Sequence, residues 1–483
     1  MKPAQERVPM PDGGWPTAEA AAESRLFAPL TLRSGLQLAA RTWVPAMVPW
    51  RASAEGEVTD DVLDWYGRFA EGEPAVLVVE ATGVRAVASG PLLRIHEDRF
   101  VAGLSRIVDR VRAASCGRTK LFIQLIDFLP LKRRPERATW YRRFFRPEER
   151  HRAALRTLGI EPPSDLAALR ETMLQLAESH EPVLLSPREL EDLRFGARER
   201  VTDTWNPVVR DLPRILPDAF AAAARRAQRA GFDGVELHYA HAYTMASFLS
   251  RTNTREDGWG ASVEGRLKLP LAVIEAVQRT VGGAFTVGAR ILGDEAIPGG
   301  STLEDACEIA VALARTGLDF LSVSRGGKFD DARQPRVGEA VYPYTGQSGL
   351  ACMPVMHMPG GPFGRNVHLA ARIRSTLRAQ GFQLPVVAAG GLCSFEQMEE
   401  ILSGGEADCV AAARQSLADP DWWKKMRSGR GHEIRRCSFT SYCEGLDQRH
   451  KQVTCRLWDR TRPDESTRRS DDGRRLVAPP FTV

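Results

Sequence analysis

Eight short apolar runs recur along the chain, and most are separated by stretches in which apolar and polar residues alternate with helical spacing. The runs lie at residues 42–47, 75–81, 120–125, 233–238, 285–291, 318–324, 385–391 and 408–413. Each run is almost continuously apolar, which is typical of parallel strands that are buried on both faces. Eight strand–helix units predict a closed (β/α)8 barrel, and a doubly wound open sheet is the alternative.

The intervening stretches carry signals for helix ends. Residues 216–231 form an amphipathic stretch that ends at a glycine, and residues 394–405 form another. Ser394 stands at an expected N-cap position, and Gly404 or Gly405 stands at a C-terminal stop. Both stretches therefore predict helices that follow a strand.

Two connections are longer than plain barrel loops. The first, an insertion at about residues 130–212, contains the arginine-rich segment KRRPERATWYRRFFRPEERHRAALR, and the second runs from Arg325 to about Asn366. Both follow a strand, so both are expected at the C-terminal face, where barrel sites are built. The arginine-rich segment is interpreted either as a solvated helix pair or as a cap that grips an acidic or extended substrate. We expect a barrel domain at residues 1–430 and a C-terminal extension at residues 431–483.

Composition narrows the class of protein. The 483 residues carry a net charge of +5, which is small for a chain of this length and disfavours nucleic acid as a partner. No apolar run approaches the roughly 18 residues that a membrane helix needs, and the N-terminus lacks the apolar core of a secretory signal. The eight cysteines are mostly scattered, as expected for reduced thiols. We therefore expect a cytoplasmic protein that acts on a small molecule.

Two histidines and a tyrosine follow the fourth predicted strand within six residues. His238 ends that strand, and His241 and Tyr243 lie in the turn beyond it. They are either packed, hydrogen-bonded polar residues, or a zinc site that still needs a third ligand, or an electrophilic pair with a proton donor. In the third interpretation, two imidazole N–H groups bind a substrate oxygen and the phenol transfers a proton.

The segment AGFDGVELHYAHAYTMASFLS at residues 230–250 resembles the fourth-strand signature of the old yellow enzyme family, whose members are FMN-dependent ene-reductases and their relatives. The family pattern H-x-x-H-x-Y matches His238, His241 and Tyr243. The resemblance covers roughly residues 26–459. It implies that the two histidines hold the carbonyl or nitro oxygen of the substrate and that Tyr243 supplies the proton.

The same resemblance implies positions for FMN. Ala46 and Met47 match the backbone contacts of the flavin, and Ala81 matches a second contact. Gln124 corresponds to the glutamine at the flavin pyrimidine, where a carboxamide can both donate and accept. Arg290 corresponds to the arginine beside flavin N1 and O2, where a cation stabilises the anionic reduced ring.

The phosphate of FMN is expected at the last two strands. The segments AAGGLCSFEQ and VAAARQSLADP match the phosphate grip of the family, with Gly390, Gly391, Ala413 and Arg414 as the implied contacts. A glycine-rich turn at a helix N-terminus offers backbone N–H groups to a phosphate.

The sequence departs from the family pattern at several positions. Val48 stands where a hydrogen-bond donor is usual near flavin O4, so we expect a flavin that is harder to reduce. Asp127 replaces a frequent histidine, and Ala413 replaces a usual glycine before Arg414.

The C-terminal extension contains Cys437, Cys443 and Cys455, and Thr440 lies where larger relatives place a further cluster cysteine. Because three thiolates need a foreign fourth ligand, we expect free thiols and no iron–sulfur cluster. Zinc with His450 or His432 as the fourth ligand is a less favoured alternative.

The resemblance implies NAD(P)H-dependent reduction of an activated C=C bond, by hydride transfer from FMN N5 and protonation by Tyr243. No G-x-G-x-x-G follows a strand, so a second bound flavin is not expected and NAD(P)H should use the substrate pocket in a ping-pong scheme. Three alternatives stay open: an FMN-dependent desaturase or amine dehydrogenase, a non-catalytic FMN electron-transfer partner, and a metal-dependent barrel hydrolase. A homo-oligomer is an expectation from resemblance only.

Overall fold

Eight parallel strands close into a barrel in the computed structural model, which describes residues 6–327, 329–341, 346, 352–461 and 468–481. Most of the segment YPYTGQSG at residues 342–349, part of the second long connection, lies outside the described residues. A short antiparallel hairpin precedes the barrel, formed by β1 (Leu30–Thr31) and β2 (Gln37–Leu38). The barrel strands are β3 (Thr42–Val44), β4 (Val76–Gly83), β5 (Lys120–Ile126), β6 (Gly234–Tyr239), β7 (Thr286–Leu292), β8 (Phe320–Ser324), β9 (Val386–Ala389) and β10 (Cys409–Ala411).

All eight predicted apolar runs form these strands, and β10 pairs with β3 to close the barrel, so the predicted (β/α)8 fold is confirmed. The first run is shortened because Pro45, which has no backbone N–H, follows Val44 and cannot donate to a ladder. Among the described residues, no helix is long and apolar enough to cross a membrane.

The helices were expected between the strands, and most of them lie there. They are α1 (Ala18–Glu23), α2 (Asp60–Ala70), α3 (Val101–Ala114), α4 (Arg137–Thr139), α5 (Glu149–Thr157), α6 (Leu166–Gln175), α7 (Glu181–Leu184), α8 (Pro187–Phe195), α9 (Pro207–Arg210), α10 (Leu212–Ala230), α11 (Thr244–Leu249), α12 (Val263–Val281), α13 (Leu303–Ala314), α14 (Val367–Ala379), α15 (Phe395–Ser403), α16 (Arg414–Ala418), α17 (Trp422–Arg427) and α18 (Tyr442–Asp447). Of these helices, α2 to α15 lie between strands, α1 precedes the hairpin, and α16 to α18 follow the last strand. In α15, the predicted N-cap Ser394 accepts a hydrogen bond from the Gln397 amide, and Gly404 is the C-cap. α10 ends at Gly231, which adopts the left-handed conformation expected at a helix end.

The barrel interior changes from aromatic to polar along the strand direction. Trp43, Phe122 and Phe320 fill its lower part, with the Trp43 and Phe320 ring centroids 5.0 Å apart. Gly288 leaves space for this layer, since an added Cβ would lie 2.2 Å from the Phe320 ring. Because alternate residues of a strand face the same side, the next inward residue of β5 is Gln124, and a polar layer begins there.

The insertion packs around a small apolar cluster of its own. Nine buried residues form it: Trp140, Tyr141, Phe145, Leu155, Leu169, Met173, Leu184, Leu185 and Leu193. Several of its arginines form ion pairs within the insertion, such as Arg142 with Glu171 at 2.6 Å and Arg150 with Glu189 at 2.6 Å. Many arginines of the insertion are therefore paired with acidic residues of the insertion itself. An arginine that is not paired in this way lines a cavity and is described below.

Candidate functional site

A cavity of about 260 Å³ opens at the C-terminal ends of the barrel strands, where a (β/α)8 barrel is expected to carry its site. It collects every cofactor and catalytic residue that the sequence suggested: Ala46, Met47, Val48, Ala81, Gln124, His238, His241, Tyr243, Arg290, Gly390, Gly391, Ala413 and Arg414. We call it the flavin cavity.

Strand register explains why these distant residues meet. In the parallel ladders, Gln124 pairs with Glu236, and His238 pairs with Arg290 on the next strand. Paired residues of neighbouring strands face the same side of a sheet, so inward positions on three adjacent strands, two of them on β6, place all four side chains in the barrel mouth. Arg290 pairs in turn with Ser322, and its Nη1 donates to the serine Oγ at 2.9 Å.

The two histidines form one hydrogen-bonded unit. The Ala240 N–H donates to His238 Nδ1 at 3.2 Å, which leaves the ring hydrogen on Nε2. That Nε2 lies 3.3 Å from His241 Nδ1, and His241 Nε2 lies 2.6 Å from Ser324 Oγ. His241 and Ala242 both have positive φ, 58° and 60°. The turn after β6 thus adopts an uncommon backbone conformation, which places the His241 ring beside the His238 ring.

Both imidazoles are neutral. Burial, with a contribution from the charge of Arg290, lowers the pKa of His238 to about 3. Burial also lowers the pKa of His241 well below its ordinary value, and the neighbouring His238 adds to that shift. Neutral rings are N–H donors without a charge, which suits binding of a developing oxyanion and does not suit a general acid.

Tyr243 faces the open space beside the histidines. Its ring packs edge-on against Phe128 and against His238, with centroid distances of 5.4 and 5.3 Å. Burial, followed by the charge of Asp447, raises the pKa of its phenol far above its ordinary value. The hydroxyl is therefore protonated throughout the physiological range and can act as a proton donor.

Glu236 is a residue of this site that the sequence analysis missed. It is fully buried, its Oε1 accepts from Gln124 Nε2 at 2.6 Å, and its Oε2 has no hydrogen-bond partner. Burial raises its pKa, and the charge of Arg290 opposes that rise. Because the Nε2 of Gln124 is used by Glu236, its carbonyl oxygen is left for a ligand. The available signal was an acidic residue inside the apolar run GVELH, in phase with His238.

The opposite end of the cavity has the character of an anion site. Gly391 has a φ of 70°, and an added Cβ would lie 1.6 Å from the Pro362 carbonyl oxygen, so only glycine fits this turn. The guanidinium of Arg414 donates to the Pro354 carbonyl at 2.8 Å and, within the described residues, pairs with no carboxylate. Arg365, which the sequence analysis also missed, lines the same end. Burial and the charge of Arg325 lower the pKa of Arg365, which means that they disfavour its charged form. A bound phosphate would favour the charged form again.

The donor set fits FMN. A carboxamide and a guanidinium at one end suit the uracil-like edge of the ring, and a glycine turn with two arginines at the other end suits the phosphate. Between them, the backbone of residues 46–48 and Ala81 form an apolar floor. Asp127, at the position of a frequent histidine, is buried and bonded to Arg85 at 2.9 Å, so its charge is compensated away from the cavity.

The C-terminal extension reaches the same cavity. Phe439, Cys443, Glu444 and Asp447 are among its lining residues. Burial raises the pKa of Glu444 to about 7 and the pKa of Cys443 to about 12, so near pH 7 the carboxyl is about half protonated and the thiol is neutral. Nothing in the sequence placed them there, because the extension returns to the barrel mouth only through tertiary packing.

The three extension cysteines lie in one neighbourhood. The Cys437, Cys443 and Cys455 thiols influence one another electrostatically, and burial raises the pKa of each above its ordinary value. Within the described ranges, no group of three or more His, Cys, Asp or Glu side chains is arranged to hold a metal ion. Within the same ranges, the His238–His241 pair therefore has no third side chain placed to complete a metal site. The expected absence of a cluster stays a prediction.

Known proteins were compared with the chain. Residues 215–433 match the family model described as NADH:flavin oxidoreductase / NADH oxidase family. An NADH oxidase of Thermoanaerobacter brockii is 28% identical over 404 residues, which cover 82% of this chain and 50% of that protein. A probable NADH-dependent flavin oxidoreductase, YqiG of Bacillus subtilis, is 25% identical over 442 residues, covering 90% of this chain and 94% of its own.

The solved structure of morphinone reductase superposes with a TM-score of 0.53 at 23% identity, over 84% of this chain and 90% of that one, and supports the fold. The fold is therefore the barrel of that solved structure, and the family model matches the second half of this chain. Residues 215–433, a little less than half of the chain, match the NADH:flavin oxidoreductase / NADH oxidase family, and this match supports the resemblance to old yellow enzymes. The chain spans about half the length of the NADH oxidase that it matches.

Proposed function

We propose that this protein binds FMN in the flavin cavity and catalyses the NAD(P)H-dependent reduction of a C=C bond conjugated to an electron-withdrawing group. The observation that carries the proposal is the convergence of a neutral histidine pair and a protonated phenol on one cavity with an FMN-type donor set. FMN, when bound, supplies the hydride for this chemistry. The protein supplies orientation, charge stabilisation and a proton.

His238 and His241 bind the oxygen of the activating group. The 3.3 Å contact between His238 Nε2 and His241 Nδ1 is long for a hydrogen bond between nitrogens, so a substrate oxygen can replace it at little cost. The donated N–H then stabilises the negative charge that develops on that oxygen, worth roughly 3 kcal/mol for one donor. Ser324 holds the far side of the His241 ring, so the ring keeps its orientation.

Tyr243 donates the proton to the α-carbon. Its hydroxyl has no hydrogen-bond partner among the residues that the structure describes, and its ring is held on two sides by aromatic contacts. A phenol with a raised pKa does not lose its proton before the substrate becomes a strong base. Gln124 and Arg290 hold the pyrimidine edge of FMN, and Gly390, Gly391, Ala413 and Arg414 hold its phosphate.

The first test is a visible absorption spectrum of the purified protein before and after anaerobic addition of NADPH or NADH. A two-banded flavin spectrum that bleaches supports the cofactor and the electron donor together. A protein that stays colourless after incubation with FMN contradicts the proposal.

The second test compares the wild type with the Tyr243→Phe variant on cyclohexenone. Loss of the proton donor should lower the rate of alkene reduction about 10²- to 10⁴-fold and leave anaerobic bleaching by NAD(P)H intact. Equal rates of alkene reduction in the two proteins would show that another group supplies the proton.

A further inference from the structure

A second cavity, which we call the outer chamber, adjoins the flavin cavity. Its volume is about 550 Å³, and it shares Val48, Ala81 and Tyr243 with the flavin cavity. Tyr243 is therefore accessible from this chamber. The chamber is larger than a small cyclic enone requires, so the residues that line it indicate what kind of substrate it binds.

One part of the chamber wall is apolar. Leu92, Phe128, Leu129 and Val201 contribute to it, and Trp50 forms another side. Such a surface favours a hydrocarbon or aromatic body over a ribose or a pyrophosphate, because burying an unpaired polar group costs free energy. The body of the expected ligand is therefore apolar.

Among the described residues, three arginines line the chamber, and one of these three lacks an acidic partner. Arg198 and Arg200 both pair with Glu191 and Asp330. Arg133 instead donates to the Gly338 carbonyl at 2.9 Å and contacts His450 Nδ1 at 2.7 Å. Within the described part of the chain it forms no ion pair, so its positive charge is not compensated.

His450 holds Arg133 in place without neutralising it. The His450 ring stacks on Trp50 with centroids 4.0 Å apart, and the Trp50 indole donates to Asp447 at 2.5 Å. Burial and the Arg133 charge lower the pKa of His450 to about 4, so the imidazole is a neutral acceptor near pH 7. The insertion, the barrel and the C-terminal extension thus meet at one exposed guanidinium.

We propose that the outer chamber binds the distal part of an elongated unsaturated substrate that carries a carboxylate, and that Arg133 binds this carboxylate. The inference rests on the proposed function, which places the reacting double bond beside Tyr243. A guanidinium matches a carboxylate in shape and charge, and the apolar wall accepts the body between the two ends. Arg133 is then a determinant of substrate specificity and does not take part in the chemistry.

The test uses 4-carboxybenzylideneacetone, an enone with a carboxylate at its far end, and its methyl ester. Their dissociation constants are measured with the oxidised FMN-loaded protein, from the change in flavin absorption. The Arg133→Gln variant should bind the acid about tenfold more weakly and the ester within about twofold of the wild type. Arg133→Lys should restore part of the affinity for the acid, since it keeps the charge but loses the planar fork.

Arg142→Gln is the matched control. Arg142 belongs to the same insertion and carries the same charge, but it pairs with Glu171 and lines neither cavity. This variant should bind both compounds as the wild type does. Equal losses for acid and ester in Arg133→Gln, or no loss for either, would overturn the inference. A loss confined to the KM of NAD(P)H would also overturn it, since the anion would then be a nucleotide phosphate.

The binding measurement separates this inference from the proposed function. If neither compound is reduced, the proposed function fails, but the difference between acid and ester still decides the role of Arg133. If the ester is reduced at the wild-type rate and Arg133→Gln shows no selective loss for the acid, the function stands and the inference fails.

Discussion

The two adjoining cavities are built from different parts of the chain. The flavin cavity is assembled at strand ends, where ladders fix each side chain relative to its neighbours, as for Gln124 beside Glu236 and His238 beside Arg290. The outer chamber is lined mainly by loops: those after β3, β4 and β6, the insertion, the loop after β8 and, from the C-terminal extension, His450. Elements on a rigid scaffold position groups more accurately than loops do.

Their electrostatics differ as well. Beside the flavin cavity the histidines are neutral, and Arg290 bonds to two serines and offsets the buried Glu236. The outer chamber keeps the uncompensated charge of Arg133 at an exposed position. The difference suggests that the inner cavity carries the chemistry and the outer chamber selects the substrate. Variants of the inner cavity should change kcat, and variants of the outer chamber should change KM.

The largest effect is expected from replacing both histidines. His238→Ala with His241→Ala removes the oxyanion donors, worth roughly 3 kcal/mol each, so alkene reduction should fall by about 10⁴-fold. The FMN content, measured from the absorbance ratio of the purified proteins, should stay that of the wild type. A double variant with wild-type kcat would refute the assignment.

Glu236→Ala should weaken FMN binding. Gln124 loses the acceptor that orients its amide, and an unmade buried hydrogen bond costs about 1–3 kcal/mol, so the dissociation constant of FMN should rise about tenfold or more. Titration of the apoprotein with FMN measures this change. Glu236→Gln keeps an acceptor oxygen and should lie closer to the wild type; if both variants bind FMN as tightly as the wild type, Glu236 has no orienting role.

Trp50→Leu tests the side of the outer chamber that Trp50 forms. The variant loses the stack on His450 and the hydrogen bond to Asp447, so the KM for an elongated enone should rise about tenfold, roughly 1.4 kcal/mol. The rate of FMN reduction by NAD(P)H at saturation should not change. A fall in kcat with an unchanged KM would show that Trp50 acts on the chemistry in the flavin cavity and not on substrate binding.

Val48→Thr should raise the reduction potential of the bound FMN. A hydroxyl donor near the flavin stabilises the reduced, more negative ring by about 1 kcal/mol, which is ~20 mV for two electrons. Val48→Ala is the control, because it changes volume and adds no donor. An unchanged or lower potential in the threonine variant would contradict the expectation that valine makes this flavin harder to reduce.

The smallest effect is expected from pH. His238 and His241 have lowered pKa values and stay neutral, so kcat/KM should show no step near pH 6.5 that belongs to them. The free energy of unfolding should depend on pH instead. Between the unfolded pKa of 6.5 and the folded value of about 3, the unfolded chain binds more protons at His238, so the free energy of unfolding falls as the pH drops below about 6.5. Denaturant titrations at pH 7.5 and pH 5 measure this fall, which should be smaller in His238→Asn.

The sequence predicted the fold because each barrel strand is a continuous apolar run, a pattern that parallel strands buried on both faces produce. The resemblance to old yellow enzymes implied the cofactor and catalytic residues, and the structure brings them into one cavity because they follow strands whose ends meet in the barrel. Their roles stay predictions. The sequence analysis missed Glu236 although the residue lies inside the apolar run GVELH and in phase with His238, because an acidic residue in a strand more often faces solvent.

The amino-acid sequence by itself determined the barrel, the place of the site and the residue types at its centre, because these depend on local periodicity and on groups attached directly to strands. Only the tertiary structure decided what covers the site. The contact between Arg133 and His450 joins residues 317 positions apart, and the Trp50–Asp447 hydrogen bond joins residues 397 positions apart. Such contacts depend on how the insertion and the extension pack on the barrel, and no local pattern in the chain encodes that packing.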